Sequence, residues 1–178
     1  ARVISSSVFF AVLGLAVCGC APGFRDCSVE DASAAEGLPL ALSNTGLFAD
    51  ITTKEVAADV IEFTPRFPLW TDGADKRRWV LLPEGEVIDT SNVEEWVFPV
   101  GTKLFKEFVL DGVRLETRMN VRTDNGWTGV AYIWNIDESD ATRTTEGAHN
   151  IAGTQHDVPS SGECLACHGG RANFTLGL

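Results

Sequence analysis

The stretch that most limits the fold is residues 113–122, where Val113, Leu115, Thr117, Met119 and Val121 alternate with Arg114, Glu116, Arg118, Asn120 and Arg122. A period of two gives an extended strand one apolar and one charged face, and gives a helix no coherent face at all. Turn signals bracket the stretch, Asp111-Gly112 before it and Asn125-Gly126 after it. These are the dipeptides favoured where both central residues of a hairpin turn need positive φ. Together they predict an antiparallel meander over 103–134. The first turn sets Leu110 opposite Val113, Phe108 opposite Leu115 and Leu104 opposite Met119. The second sets Val121 opposite Val130, Met119 opposite Tyr132 and Thr117 opposite Trp134. The same register brings Glu107 against Glu116, a like-charge pair that disfavours pairing, with Arg114 and Arg118 beside it to offset the repulsion.

The chain around this meander reads the same way. Lys76–Leu82 is a further strand, stopped by Pro83-Glu84-Gly85, and Glu95-Trp96-Val97-Phe98 another. Phe67-Pro68-Leu69-Trp70 is extended and ends in a Thr71-Asp72-Gly73 turn. Thr53–Ile61 has the spacing of a short amphipathic helix. Short strands, frequent turns and little helix predict a mainly β fold, an antiparallel β-sandwich or jelly-roll-like domain over residues 45–158. A short helical segment follows at 159–178.

That last segment holds Cys164-Leu165-Ala166-Cys167-His168. This is the spacing by which haem is attached covalently in c-type cytochromes. Two thiols one helical turn apart each add to a vinyl group on one porphyrin edge, and the next histidine ligates the iron. Ser160 and Glu163 stand in the relation of a capping box, just after Pro159, and Gly169-Gly170 would close the helix. Cys164 and Cys167 are thereby expected as haem c attachment points, with His168 as axial ligand and one haem in the chain. A zinc site wants four ligands, and Cys27 and His156 lack paired-ligand spacing; a redox dithiol usually follows the first strand of a βαβ unit, which is absent. For the distal position the chain offers His156, His149 and Met119. Met119 has a core-packing reading from its place in the strand, and the two histidines have an ordinary surface reading.

The N-terminus points to export. Residues 8–17 are one apolar run of about ten residues, too short for a bilayer span, and small residues follow. The run ends in Val17-Cys18-Gly19-Cys20, which resembles a bacterial lipobox. On that resemblance residues 1–19 are a lipoprotein signal peptide, Cys20 carries lipid, and the chain sits on the periplasmic side of a membrane, the outer one on the strength of Ala21. Residues 20–44, rich in small and acidic residues, read as a flexible tether containing an unpaired Cys27. Over 178 residues the formal net charge is −11, which argues against nucleic acid as a partner and suits a cationic redox protein. Paired acids at Glu94-Glu95 and Asp137-Glu138 have no placeable partner, so no hydrolase is inferred. Lys76-Arg77-Arg78 reads as a solvated charge run.

Taken in order, several segments resemble one family. They are Leu47-Phe48-Ala49-Asp50, Pro68-Leu69-Trp70-Thr71-Asp72-Gly73-Ala74 with Lys76 and Arg78, Phe98-Pro99-Val100-Gly101-Thr102, Glu116-Thr117-Arg118, Trp127-x-Gly129, Tyr132-x-Trp134-Asn135, and Pro159-Ser160 before the CxxCH. The chain is similar, over residues 45–178, to bacterial dihaem c-type cytochrome lipoproteins, some associated with β-helix repeat proteins. The resemblance implies an exported electron carrier rather than a catalyst, with a β-rich N-terminal domain and the first haem site at Cys164, Cys167 and His168. It also implies that this chain is the N-terminal part of a longer protein with a second CxxCH, so that 159–178 is only the start of the haem-binding region. Two other classes stay open. One is an extracytoplasmic β-sandwich binding module with a structural zinc or disulfide at Cys164 and Cys167, its tryptophans available for carbohydrate. The other is a haem peroxidase with an open sixth coordination position.

Overall fold

The computed structural model describes residues 35–71, 73–93 and 95–168, leaving out the side chains of Leu165 and His168. The strands are β1 (Phe48–Asp50), β2 (Glu55–Val56), β3 (Val60–Glu62), β4 (Asp75–Leu81), β5 (Lys103–Leu110), β6 (Val113–Thr123), β7 (Gly126–Trp134) and β8 (Ala141–Thr144), followed by helix α1 (Ser161–His168). Strands β3 to β8 form one six-stranded antiparallel sheet in sequence order, and β1 and β2 form a separate two-stranded ribbon. The expectation of a mainly β, antiparallel fold holds at this level.

Why the sheet has two buried faces follows from its alternation. One face gathers Trp79, Phe105, Met119, Val121, Val130, Tyr132 and Trp134, covered by Ala35, Leu42, Leu47 and Phe48. Two buried polar groups on that face find partners: Tyr132 donates to the Pro39 carbonyl at 3.0 Å and Trp134 Nε1 to Thr117 Oγ1 at 3.1 Å. Burial pushes the Tyr132 phenol up to about 12. Arg143 reaches the carbonyls of Ala35, Glu36 and Leu38, tying the first described residues to the edge strand. Residues 35–44, read from the sequence as the end of a tether, are instead part of the fold, since Ala35 and Leu42 are fully buried.

The opposite face carries a second cluster of Leu115, Ala131, Ile151 and Val158, under the segment that leads into α1. Leu115 reaches it through a bulge. Strand β6 pairs with β5 as expected at Leu110–Val113, but the register shifts at Phe108/Val109, so that Phe108 faces Glu116, Glu107 faces Thr117 and Phe105 faces Met119. An extra residue on one strand reverses the alternation beyond it. The predicted partners Phe108–Leu115, Leu104–Met119 and Glu107–Glu116 are corrected accordingly. The bulge separates the two glutamates onto opposite faces, which removes the like-charge conflict. Val113 and Leu115 thus share a face with Glu116 and Arg118, not with Met119.

The second turn also moves. Thr123 pairs with Gly126, and Met119 with Val130, Thr117 with Tyr132 and Val121 with Thr128. The loop is Asp124-Asn125, and positive φ falls on Gly126 (131°) rather than on Asn125. At Asp111 and Gly112 both φ values are positive, 51° and 82°, as that kind of turn requires. The shift at the second turn is by two residues, so the same side chains stay inward. Two further expectations are corrected. Residues 53–61 are not a helix but contribute to β2 and β3, where Val60 and Ile61 pair with Leu81 and Val80. Around Glu95–Phe98 there is only the isolated bridge Asp89–Val97, because Pro99 has no N–H to extend a ladder.

Candidate functional site

Helix α1 begins as its sequence requires. Glu163 N donates to Ser160 Oγ at 3.3 Å, and the Glu163 carboxylate accepts from Ser160 N at 2.9 Å and Ser160 Oγ at 2.8 Å. Both partners of the capping box are therefore engaged. Cys164 N donates to the Ser160 carbonyl at 3.0 Å, which opens the helical ladder and sets Cys164 and Cys167 one turn apart.

The two thiols meet different surroundings. Both are unbonded, with Cys164 buried and Cys167 exposed. Cys164 is 7% exposed because the helix packs on β7 at Gly129. A Cβ at Gly129 would lie 3.3 Å from Cys164 Cβ and 2.7 Å from Asn120 Oδ1, so the missing side chain is what lets α1 approach. Burial pushes the Cys164 thiol up to about 11, with Arg118 opposing weakly. Two buried polar atoms without a hydrogen-bond partner belong to the same region. Ser161 Oγ is one turn before Cys164 on the helix, and Trp127 Nε1 belongs to the residue two before Gly129 on β7.

Beside α1 the sheet face is strongly cationic. Lys76, Arg78, Lys106, Arg118 and Arg122 all project on the side of β4, β5 and β6 that carries Phe108 and Glu116, as the pairings Lys76–Phe108, Arg78–Lys106 and Lys106–Arg118 require. Glu116 is the one carboxylate on that side of these three strands. It is fully buried and holds Arg118 Nε at 3.0 Å from each oxygen, while His156 Nε2 lies 2.7 Å from its Oε1. The His156 ring sits 5.3 Å from that of Phe108, and the Arg118 guanidinium and Lys106 ammonium lie over Phe108 at 4.4 and 4.8 Å. The Lys106 ammonium is driven down to about 8, first by burial and then by Arg118, Arg78 and Lys76.

The sequence-predicted residues divide clearly. Cys164, Cys167 and His156 come to one side of the sheet. His156 is 3% exposed with its Nε2 committed to Glu116, so the surface reading does not hold for it. His149 stays at the surface, 3.1 Å from Asp157. Met119 is fully buried in the core on the far side of the sheet from Cys164, in the packing role its strand position gave it. The imidazole of His168, Cys18, Cys20, Cys27, the apolar run 8–17 and Gly169-Gly170 lie outside the described residues. Sequence reasoning missed the cationic face. Lys76-Arg77-Arg78 looked like one solvated run, yet only Arg77 turns outward, pairing with Glu62 at 2.7 Å. The signal was available in the alternation of the run, which sends Arg77 one way and its neighbours the other.

Two free thiols thus lie one turn apart on a capped helix, beside a cationic sheet face. Cys164 is buried where α1 packs on β7, and of the two only Cys167 is open to solvent. Among the described residues no group of three or more His, Cys, Asp or Glu side chains is arranged to hold a metal ion, and no helix is long and apolar enough to cross a membrane. Set against known proteins, the chain matches no family model, no curated protein and no solved structure.

Proposed function

We propose that this chain is an exported c-type cytochrome, an electron carrier that holds one haem through Cys164 and Cys167 and ligates its iron with His168. The observation that carries the reading is the CxxCH set on a capped helix, both thiols free, against a sheet face rich in cations. The haem supplies the one-electron chemistry and the protein supplies attachment, burial and charge. Ser160 and Glu163 fix the start of α1 and hence the spacing of the two sulfurs. Gly129 sets how deeply Cys164 sits. Cys167, exposed, keeps one edge of the site towards solvent, where a partner protein delivers or takes the electron. The same reading anchors the chain by lipid at Cys20 on the periplasmic side of an outer membrane. It takes the ribbon β1–β2 over the large sheet as a minimal sandwich-like layer.

Visible spectra of protein made in a periplasm with cytochrome-maturation machinery test this. A reduced α-band that survives denaturation and acid-acetone extraction, and vanishes in Cys164→Ala/Cys167→Ala, is the expected result. Folded, colourless protein containing zinc would move the reading to a binding module. A high-spin ferric spectrum with peroxide turnover would move it to a peroxidase.

A further inference from the structure

The cationic face raises a problem that the fold alone does not solve. Arg78, Lys106 and Arg118 are direct neighbours across three adjacent strands, and like charges directly opposite one another weaken a sheet. Among the described residues Arg118 alone of the three is ion-paired, to Glu116, and neither Arg78 nor Lys106 is. All three are partly covered rather than free in water. In a chain of net charge −11, such a row is not a by-product of a basic composition. A row of cations held in register and short of anions is an arrangement that becomes favourable when a ligand brings negative charge.

Its position relative to α1 narrows the ligand. On ordinary sheet spacing, about 4.8 Å between strands and about 3.4 Å per residue, Arg118, Lys106 and Arg78 lie about 8, 12 and 16 Å from Gly129, the seat of Cys164. A porphyrin attached through its vinyl groups carries its two propionates on the opposite edge. We propose that Arg78, Lys106 and Arg118 form a receptor for paired carboxylates, and that in the loaded protein these are the two propionates of the attached haem. The guanidinium of Arg78 is suited to bidentate contact and Lys106 acts as a point charge between the two arginines. Lys76 and Arg122 extend the positive field at the row's ends. This assignment rests on haem attachment at Cys164 and Cys167; a soluble dicarboxylate is the other source of the same chemistry.

The experiment follows the Lys106 side chain by lysine-selective NMR through a pH titration. It uses the haem-loaded full chain and the full-length Cys164→Ala/Cys167→Ala variant, each with and without succinate. Covalent haem is scored first, by its spectrum after denaturation. If haem is attached, the expected result is a Lys106 pKa at least about one unit above that of the haem-free variant, a tenfold change in proton affinity, and no further response to succinate. In the haem-free variant succinate raises the same pKa saturably, and Arg78→Gln weakens that binding about tenfold, whereas Arg77→Gln, on the other face, leaves it unchanged. Attached haem with Lys106 unmoved from about 8 overturns the propionate assignment. A chain that takes no haem but binds succinate through Lys106 removes the haem reading and leaves the receptor standing with a soluble ligand. If neither attached haem nor succinate moves Lys106, the receptor is overturned. Thermal unfolding of each variant checks that it is folded.

Discussion

Cys164 and Cys167 share a motif but not an environment, and this predicts different reactivity. The attacking species in alkylation is the thiolate. With its thiol pushed up to about 11 under α1, Cys164 is expected to react with iodoacetamide at pH 8 far more slowly than exposed Cys167, the two converging in denaturant. Mass spectrometry of timed samples reads this directly, and equal rates in the folded chain would place Cys164 at the surface. A second buried group argues from the other face. Glu107 is almost fully buried, 3.1 Å from Arg114, with its Oε2 unpartnered. Burial, the largest influence, raises its pKa above 4.5 although Arg114 opposes. Just above 4.5 the folded chain keeps a proton that the unfolded chain has lost, so stability falls as pH rises there. Glu107→Gln removes that dependence. Arg114 keeps Glu138 at 2.8 Å, so the variant is expected to match or exceed the wild type at pH 7 by up to about 1 kcal/mol in denaturant unfolding. A loss above about 2 kcal/mol would show that the carboxylate contributes net stability. Neither the buried state of Glu107 nor that of His156 was legible in sequence, because each depends on which side of a bulge or loop its neighbours fall.

At the scale of elements, α1 was the most legible part of the chain and β6 the least exact. Ser160 and Glu163 specify a helix start locally, with no reference to the rest of the fold, and the structure realises both hydrogen bonds. Ser160→Ala is expected to lower stability by about 1 kcal/mol and to increase amide exchange in α1 before the sheet. Intact protection in α1 would show that packing on β7 alone holds the helix. Gly129 tests that packing from below. A Cβ there meets the flexible end of Asn120 at 2.7 Å, which can turn away, and Cys164 Cβ at 3.3 Å, which moves only with the helix. Gly129→Ala is therefore expected to displace α1 slightly and to speed Cys164 alkylation, with Cys167 unchanged. The alternation of β6 fixed its strand character, yet its register depended on an extra residue near Leu115. Nothing in a two-residue turn signal reports a bulge several residues away. The second hairpin slipped by two residues, which preserves side-chain parity, so the inward set Met119 and Val121 survived an incorrect turn.

The whole molecule couples its two unusual titrations. Meander order and antiparallel pairing were readable because each depends on neighbouring segments, while the cover of each sheet face by residues 35–56 and 145–168 comes from long-range packing that no local pattern encodes. The consequence for stability is a pH profile with two opposed arms. Lys106 titrates near 10.5 when unfolded and about 8 when folded. Between those values the unfolded chain binds the extra proton, so stability rises with pH by up to about 1.4 kcal/mol per unit. Cys164 acts the other way: its thiol ionises near 9.0 unfolded and about 11 folded, so the folded chain holds the proton and stability falls as pH rises between them. In the haem-free chain the expected profile climbs from about pH 8 to 9 and then levels as the thiol's contribution sets in. Cys164→Ala should let the climb continue towards pH 10, where the buried Tyr132 phenol, held up to about 12, begins to oppose it, and Lys106→Met should weaken the climb and let the decline dominate. Urea midpoints measured across that range separate the two groups. A flat profile in the wild type that neither substitution alters would mean that Lys106 and Cys164 keep ordinary proton affinities, and that the sheet face beside α1 is as open to water as its outer edge.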